Sequence, residues 1–130
     1  MTINKLFIAA VLIAATAALA TAQRGGKAEP KRIEFVPRRS SVTLTGTLAN
    51  GREREYVFAA RKGQIAKIKM NTRLFDYRIF LPDADFDTEF DSSPTSAVEL
   101  PETGDYLLFI RKKMTSTNRS AKFNILVSVQ

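Results

Sequence analysis

Carboxylates stand at every second position in Asp83-Ala84-Asp85-Phe86-Asp87-Thr88-Glu89. Such spacing can wrap a hard cation, which takes six to eight oxygen ligands, so Asp83, Asp85, Asp87 and Glu89 are the candidate calcium ligands. The match to an EF-hand loop is poor. Thr88 stands at the sixth position where a glycine belongs, and Pro94 stands at the twelfth. A solvated acidic loop is the plainer reading. Paired carboxylates also serve glycosidases, but a surface loop of a small domain provides no cleft for a sugar.

Two other stretches could recognise a partner. Arg111-Lys112-Lys113-Met114-Thr115-Ser116-Thr117-Asn118-Arg119 reads as a polar, basic loop whose guanidinium and ammonium groups could engage carboxylates across an interface. Leu100-Pro101-Glu102-Thr103-Gly104-Asp105-Tyr106 reads as a strand end, a tight turn and a new strand. Pro101 cannot donate a ladder hydrogen bond, and Gly104 can take a positive φ. Thr103, Gly104 and Asp105 form the expected exposed tip, with Tyr106 as the buried root. Charged loops are common, so both stretches also have a purely structural reading, the turn as a device that fixes strand register.

Much chemistry is excluded by composition. The chain has no histidine and no cysteine. It can build no Ser-His or Cys-His pair, no zinc centre of the usual ligands and no disulfide. The formal net charge is +7, with basic and acidic residues interspersed along the chain. A charge of this sign can attract nucleic acid, anionic lipid or acidic glycan. The expected export of the chain argues against nucleic acid.

That export is read from the N-terminus. Residues 6–19 are an apolar run of about 14 residues after a single lysine, followed by Ala20-Thr21-Ala22. The run is short of the roughly 20 residues that span a bilayer and fits a signal peptide covering residues 1–22. The mature chain is then periplasmic or secreted, with no stable membrane anchor. Residues 23–30 are a polar, Gly-containing leader, and residues 31–130 are one domain.

Elements of period two position the candidate residues. Apolar side chains alternate through about eight segments: 31–36, 41–48, 53–60, 65–70, 74–81, 96–100, 106–110 and 121–129. Gly46 falls in an inward slot, and Asn50-Gly51 is a hairpin signal. Asp76 and Arg78 fall on a solvent face, and residues 82–94 read as a long surface loop. No amphipathic helix follows the leader. The expected fold is all-β: an eight-stranded, jelly-roll-like antiparallel sandwich.

Ile33-Glu34-Phe35, Ser40-Ser41, Gly46-Thr47-Leu48, Tyr56-Val57-Phe58-Ala59-Ala60, Lys62-Gly63-Gln64 and Leu100-Pro101-Glu102-Thr103-Gly104-Asp105-Tyr106 occur in an order and spacing that resemble one family. The chain resembles the bacterial periplasmic inhibitors of g-type lysozyme and the wider group of pre-peptidase C-terminal-like β-sandwich domains. The resemblance covers residues 33–129. It implies a non-enzymatic binding protein that inserts loops into the cleft of g-type lysozyme or another muramidase. Thr103-Gly104-Asp105-Tyr106 stands where such inhibitors carry a Ser-Gly-x-Tyr-like loop, with threonine for serine. Arg111, Asn118 and Arg119 stand where they carry arginines and asparagine. The wider group implies the alternative, a module that binds peptidoglycan, another envelope glycan or an envelope protein, with calcium in some versions.

Overall fold

The computed structural model describes residues 30–35 and 40–130. The expected signal peptide and nearly all of the leader lie outside the described residues. Nine strands follow: β1 Lys31–Arg32, β2 Ser41–Ala49, β3 Glu53–Ala60, β4 Ile65–Met70, β5 Phe75–Leu81, β6 Phe86–Asp87, β7 Thr95–Glu99, β8 Gly104–Lys112 and β9 Ser120–Val129. They form two sheets, β1-β3-β8-β5-β6 and β2-β9-β4-β7. Removing β1 leaves four strands in each sheet, with successive strands changing sheets at every connection except β5–β6. That is jelly-roll order.

The core lies where the inward sets of both sheets meet. Tyr56, Phe58 and Ala60 come from β3; Phe75, Tyr77, Ile79 and Leu81 from β5; Tyr106, Leu108 and Ile110 from β8. Against them pack Ala66, Ile68 and Met70 of β4 and Phe123, Ile125, Val127 and Val129 of β9. Strands β8 and β9 are central in their sheets. Long side chains from alternate positions interlock, as in Phe58 stacked on Tyr106 (5.6 Å) and Phe75 edge-on to Phe123 (5.6 Å).

Gly46 is explained by close approach. A Cβ there would lie 2.2 Å from Arg54 Nη1 and 2.7 Å from Phe123 Cζ. Arg54 occupies an inward slot of β3 and lays its guanidinium over the Phe123 ring, 5.7 Å from its centroid. The missing side chain makes room for that cation.

Several expectations are corrected. Asn50-Gly51 does form a turn, with Arg52 N donating to Ala49 O at 3.0 Å and Gly51 at φ 72°. It is not a hairpin, because β2 and β3 belong to different sheets. The turn at 100–103 likewise carries the chain between sheets, and Gly104 does not use a positive φ. The segment 31–36 is mostly not strand. Only Lys31–Arg32 pairs, and it runs parallel to β3; Val36 lies outside the described residues.

The acidic segment is not a free loop. A short 3₁₀ turn, Pro82–Ala84, leads into β6, which pairs with β5 through Phe80↔Asp87 and Leu81↔Phe86. Tyr77 and Asp91 form a further antiparallel bridge, and the Tyr77 hydroxyl donates to Ser93 O at 2.8 Å. The eighth jelly-roll strand is therefore hidden in the acidic stretch. Carboxylate alternation masks it, and two paired residues leave little periodic signal.

Candidate functional site

Strand β8 is the axis of the candidate site. Gly104 begins it and Lys112 ends it. At the rise of an extended chain its ends are about 27 Å apart. The Thr103–Tyr106 turn and the loop after Lys112 thus lie at opposite ends of the sandwich. The structure does not bring these two groups of candidate residues together.

At the turn end, each side chain has a partner within the fold. Tyr106 is fully buried. Its hydroxyl donates to Glu102 O (2.6 Å) and accepts from Glu102 N (3.1 Å), pinning the turn from beneath. This is the geometry of a tyrosine corner. Thr103 Oγ1 accepts the Lys62 amide at 3.0 Å, which locks this turn to the β3–β4 turn. Asp105 receives both guanidinium nitrogens of Arg32 at 3.0 and 3.3 Å. That pairing holds the Asp105 carboxyl below its ordinary value.

At the basic end, Lys112 is the residue that the sequence reading misplaced. Strand β8 runs through Lys112, whose side chain is fully buried. Its Nζ donates to Asn50 Oδ1 (3.0 Å), Lys113 O (2.8 Å) and Thr115 Oγ1 (3.0 Å). An ammonium in such a place needs all its protons engaged. Asn50 Nδ2 adds a bond to Thr115 O at 2.7 Å, and Asn50 N donates to Arg119 O at 2.8 Å. Thr115 Oγ1 also closes on Thr117 O. The loop is therefore braced from both sides by the β2–β3 turn. Asn118 takes a left-handed φ of 53°, which asparagine tolerates, and is exposed beside Arg119. Met114 is 77% exposed at the same end.

Arg111 is placed apart from Asn118 and Arg119, on the outer face of β8. Its guanidinium bonds Asp76 at 3.0 Å and lies 3.8 Å from the Phe90 centroid. Its neighbour Arg78 holds Asp87 through two nitrogens at 2.7 and 2.5 Å, and stacks within 6 Å of Phe80, Phe90 and Phe109. Asp76 and Arg78 are thus paired rather than merely solvated. The segment through Phe90 straps this face.

The four calcium candidates do not converge. Asp87 is committed to Arg78, and among the described residues no group of three acidic side chains is placed to hold a metal ion.

The Arg78 pair makes a pH prediction. The guanidinium holds the Asp87 carboxyl below its ordinary value. A carboxyl with a depressed folded value stabilises the protein above its unfolded pKa, near 4. That stabilisation is lost as pH falls through the folded value. Melting temperature should therefore fall on acidification below about pH 4 more steeply in the wild type than in Asp87→Asn. Identical slopes would mean that the strap does not depend on the pair.

No protein-family model and no curated protein sequence matches the chain. Solved structures do. Salmonella Typhimurium PliG, a periplasmic lysozyme inhibitor of g-type lysozyme, superposes with TM-score 0.65 over 80% of this chain and 100% of its own, at 20% identity. The fold is that of the periplasmic g-type lysozyme inhibitors. Aeromonas hydrophila PliG agrees, with TM-score 0.64 over 78% of this chain and 96% of its own at 21% identity. The pre-peptidase C-terminal domain of a Bacillus anthracis collagenase has the same architecture, with TM-score 0.53, 13% identity, and coverage of 80% and 97%. Both groups named from the sequence thus share the fold.

Proposed function

We propose that this protein is an exported, non-enzymatic inhibitor of a g-type lysozyme or related muramidase, and that the braced basic loop at residues 113–119 enters the enzyme cleft. The observation that carries this reading is the buried Lys112 ammonium beneath an exposed basic loop, on a fold shared with lysozyme inhibitors. Glycoside hydrolysis uses paired carboxyl groups at the cleft floor. A loop presenting the Arg119 guanidinium and the Asn118 amide can engage those groups and exclude the sugar chain. Bracing matters because ordering a floppy loop on binding costs roughly 0.5–1.5 kcal/mol per immobilised side chain. Here the hydrogen bonds to Lys112 and Asn50 meet that cost during folding.

The overall positive charge does not decide the question. Charges more than roughly 8 Å apart are screened at physiological salt, so contacts at the loop tip outweigh the net charge. Export to the periplasm belongs to the same proposal. Among the described residues, no helix is long and apolar enough to cross a membrane.

The turn at residues 103–106 is assigned a structural role, since its polar groups are used internally. The test is hydrolysis of bacterial cell walls by a g-type lysozyme in the presence of the mature protein. Loss of activity at micromolar protein is the expected result. Full activity at that concentration contradicts the proposal.

A further inference from the structure

We infer that the outer face of the β2-β9-β4-β7 sheet is a second binding surface, for an extended glycan strand that bears carboxylates. This surface is independent of the lysozyme reading and lies on the opposite sheet from Arg111 and Arg78.

Charge is divided unequally between the two outer faces. The four ion pairs among the described residues, Arg32–Asp105, Arg78–Asp87, Arg111–Asp76 and Lys113–Asp76, all belong to the β1-β3-β8-β5-β6 side. Glu53 and Glu55 of β3 add further acid to that side. On the other sheet, Lys67 and Lys69 project outward from β4 and Lys122 from β9, and none of the three enters an ion pair among the described residues. Glu99 is the acidic residue on that face. It sits at one corner, opposite Ile65.

The lysines are spaced for a chain rather than for one ion. Lys67 and Lys69 are about 7 Å apart along β4. Lys69 is in register with Leu126, and Lys122 lies four residues farther along β9, roughly 14 Å away. Beside β9, on the side away from β4, the edge strand β2 turns Thr43, Thr45 and Thr47 outward, all exposed, with Thr47 in register with Lys122. Two shallow depressions follow the same line. One of about 480 Å³ is bordered by Lys67, Lys69, Thr95 and Ser128. The other, of about 490 Å³, is bordered by Thr47, Asn71, Lys122 and Asn124.

Hydroxyls and amides beside spaced ammoniums match a ligand that carries both hydroxyls and carboxylates. A lipid surface would be met by large apolar side chains. Here there are two, Leu126 in the middle of the face, 37% exposed, and Ile65 at its Glu99 corner, 41% exposed, and they form no continuous apolar patch. Single-stranded nucleic acid would call for aromatic platforms, and no aromatic side chain points outward from these strands. One exposed ammonium–carboxylate contact contributes at most about 1 kcal/mol. Useful affinity must therefore come from several contacts to one chain.

Affinity electrophoresis tests this, with the mature protein run through gels containing polygalacturonate or, as the neutral control, dextran. Polygalacturonate should retard the protein and dextran should not. Lys67→Gln/Lys69→Gln should weaken the retardation about tenfold. Arg61→Gln/Lys62→Gln removes the same charge from the β3–β4 turn, where the hydrogen bonds use the backbone amides of Arg61 and Lys62; it should stay within about twofold of wild type. Unchanged melting temperatures would confirm that both variants fold. No retardation by polygalacturonate, equal weakening in the two variants, or tighter capture by phosphatidylglycerol vesicles than by polygalacturonate would each overturn the inference.

Discussion

Tyr106→Ala should lower stability by about 4 kcal/mol, and Tyr106→Phe by about 1.5 kcal/mol. Tyr106 is among the largest fully buried side chains, stacked on Phe58 and edge-on to Phe86 at 5.9 Å. Deleting the ring removes a large buried apolar surface and leaves a cavity between two sheets that cannot collapse onto it. Domains of this size have roughly 5–15 kcal/mol in all, so the alanine variant should be close to unfolding at physiological temperature. The phenylalanine variant keeps the ring and loses only the hydroxyl. The backbone N–H and C=O of Glu102 then lose a shared partner. These groups lie near the surface and water can replace part of the loss, which keeps the effect small. Urea denaturation of the two variants separates ring from hydroxyl. Equal losses in both would show that the hydroxyl, not the packing, dominates.

Lys112→Met should lower stability by about 2 kcal/mol and loosen the basic loop. Two effects oppose each other. Burying an ammonium is itself costly, by several kcal/mol, and methionine removes that cost. Against this, Asn50 Oδ1, Lys113 O and Thr115 Oγ1, all on half-buried residues, lose their common donor. Each orphaned oxygen costs roughly 1–3 kcal/mol. The orphaned oxygens outweigh the relief, although Thr115 N at 3.3 Å still serves Asn50 Oδ1 and trims the total. Methionine matches the length of the lysine stem, so packing should change little. Amide hydrogen exchange at residues 113–119 should rise in the variant while the β3–β8 ladder stays protected near its global limit. Unchanged exchange in the loop would show that Lys112 does not brace it.

The physics of these residues also explains what could be read in advance. Alternation of apolar side chains is a direct record of the pleat, so the long strands and their inward faces were legible from 41 to 129. The same alternation runs Tyr106, Leu108, Ile110 and on to position 112. A lysine at that position reads as loop, because buried lysines are rare. Its acceptors, Asn50 and Thr115, come from other parts of the chain, and no local pattern announces them. Asn50-Gly51 carried a true turn signal, but a turn fixes only local backbone. Whether its strands pair in one sheet or part into two depends on the packing of the whole sandwich. Phe86-Asp87 is strand because β5 offers an edge to pair with, not because of its own preference. The Thr103–Tyr106 motif was legible as a turn. That its side chains close on Glu102, Lys62 and Arg32 required the fold.

The most direct measurement of the central claim compares inhibition constants toward a g-type lysozyme for Arg119→Ala and Thr103→Ala. The two sites lie at opposite ends of β8. If the basic loop enters the cleft, Arg119→Ala should weaken inhibition about tenfold or more, the effect of losing a guanidinium–carboxylate contact at an interface centre. Thr103→Ala should remain within about twofold of wild type. Unchanged inhibition by Arg119→Ala together with a loss in Thr103→Ala would contradict the account and move the inhibitory site to the other end of the sandwich.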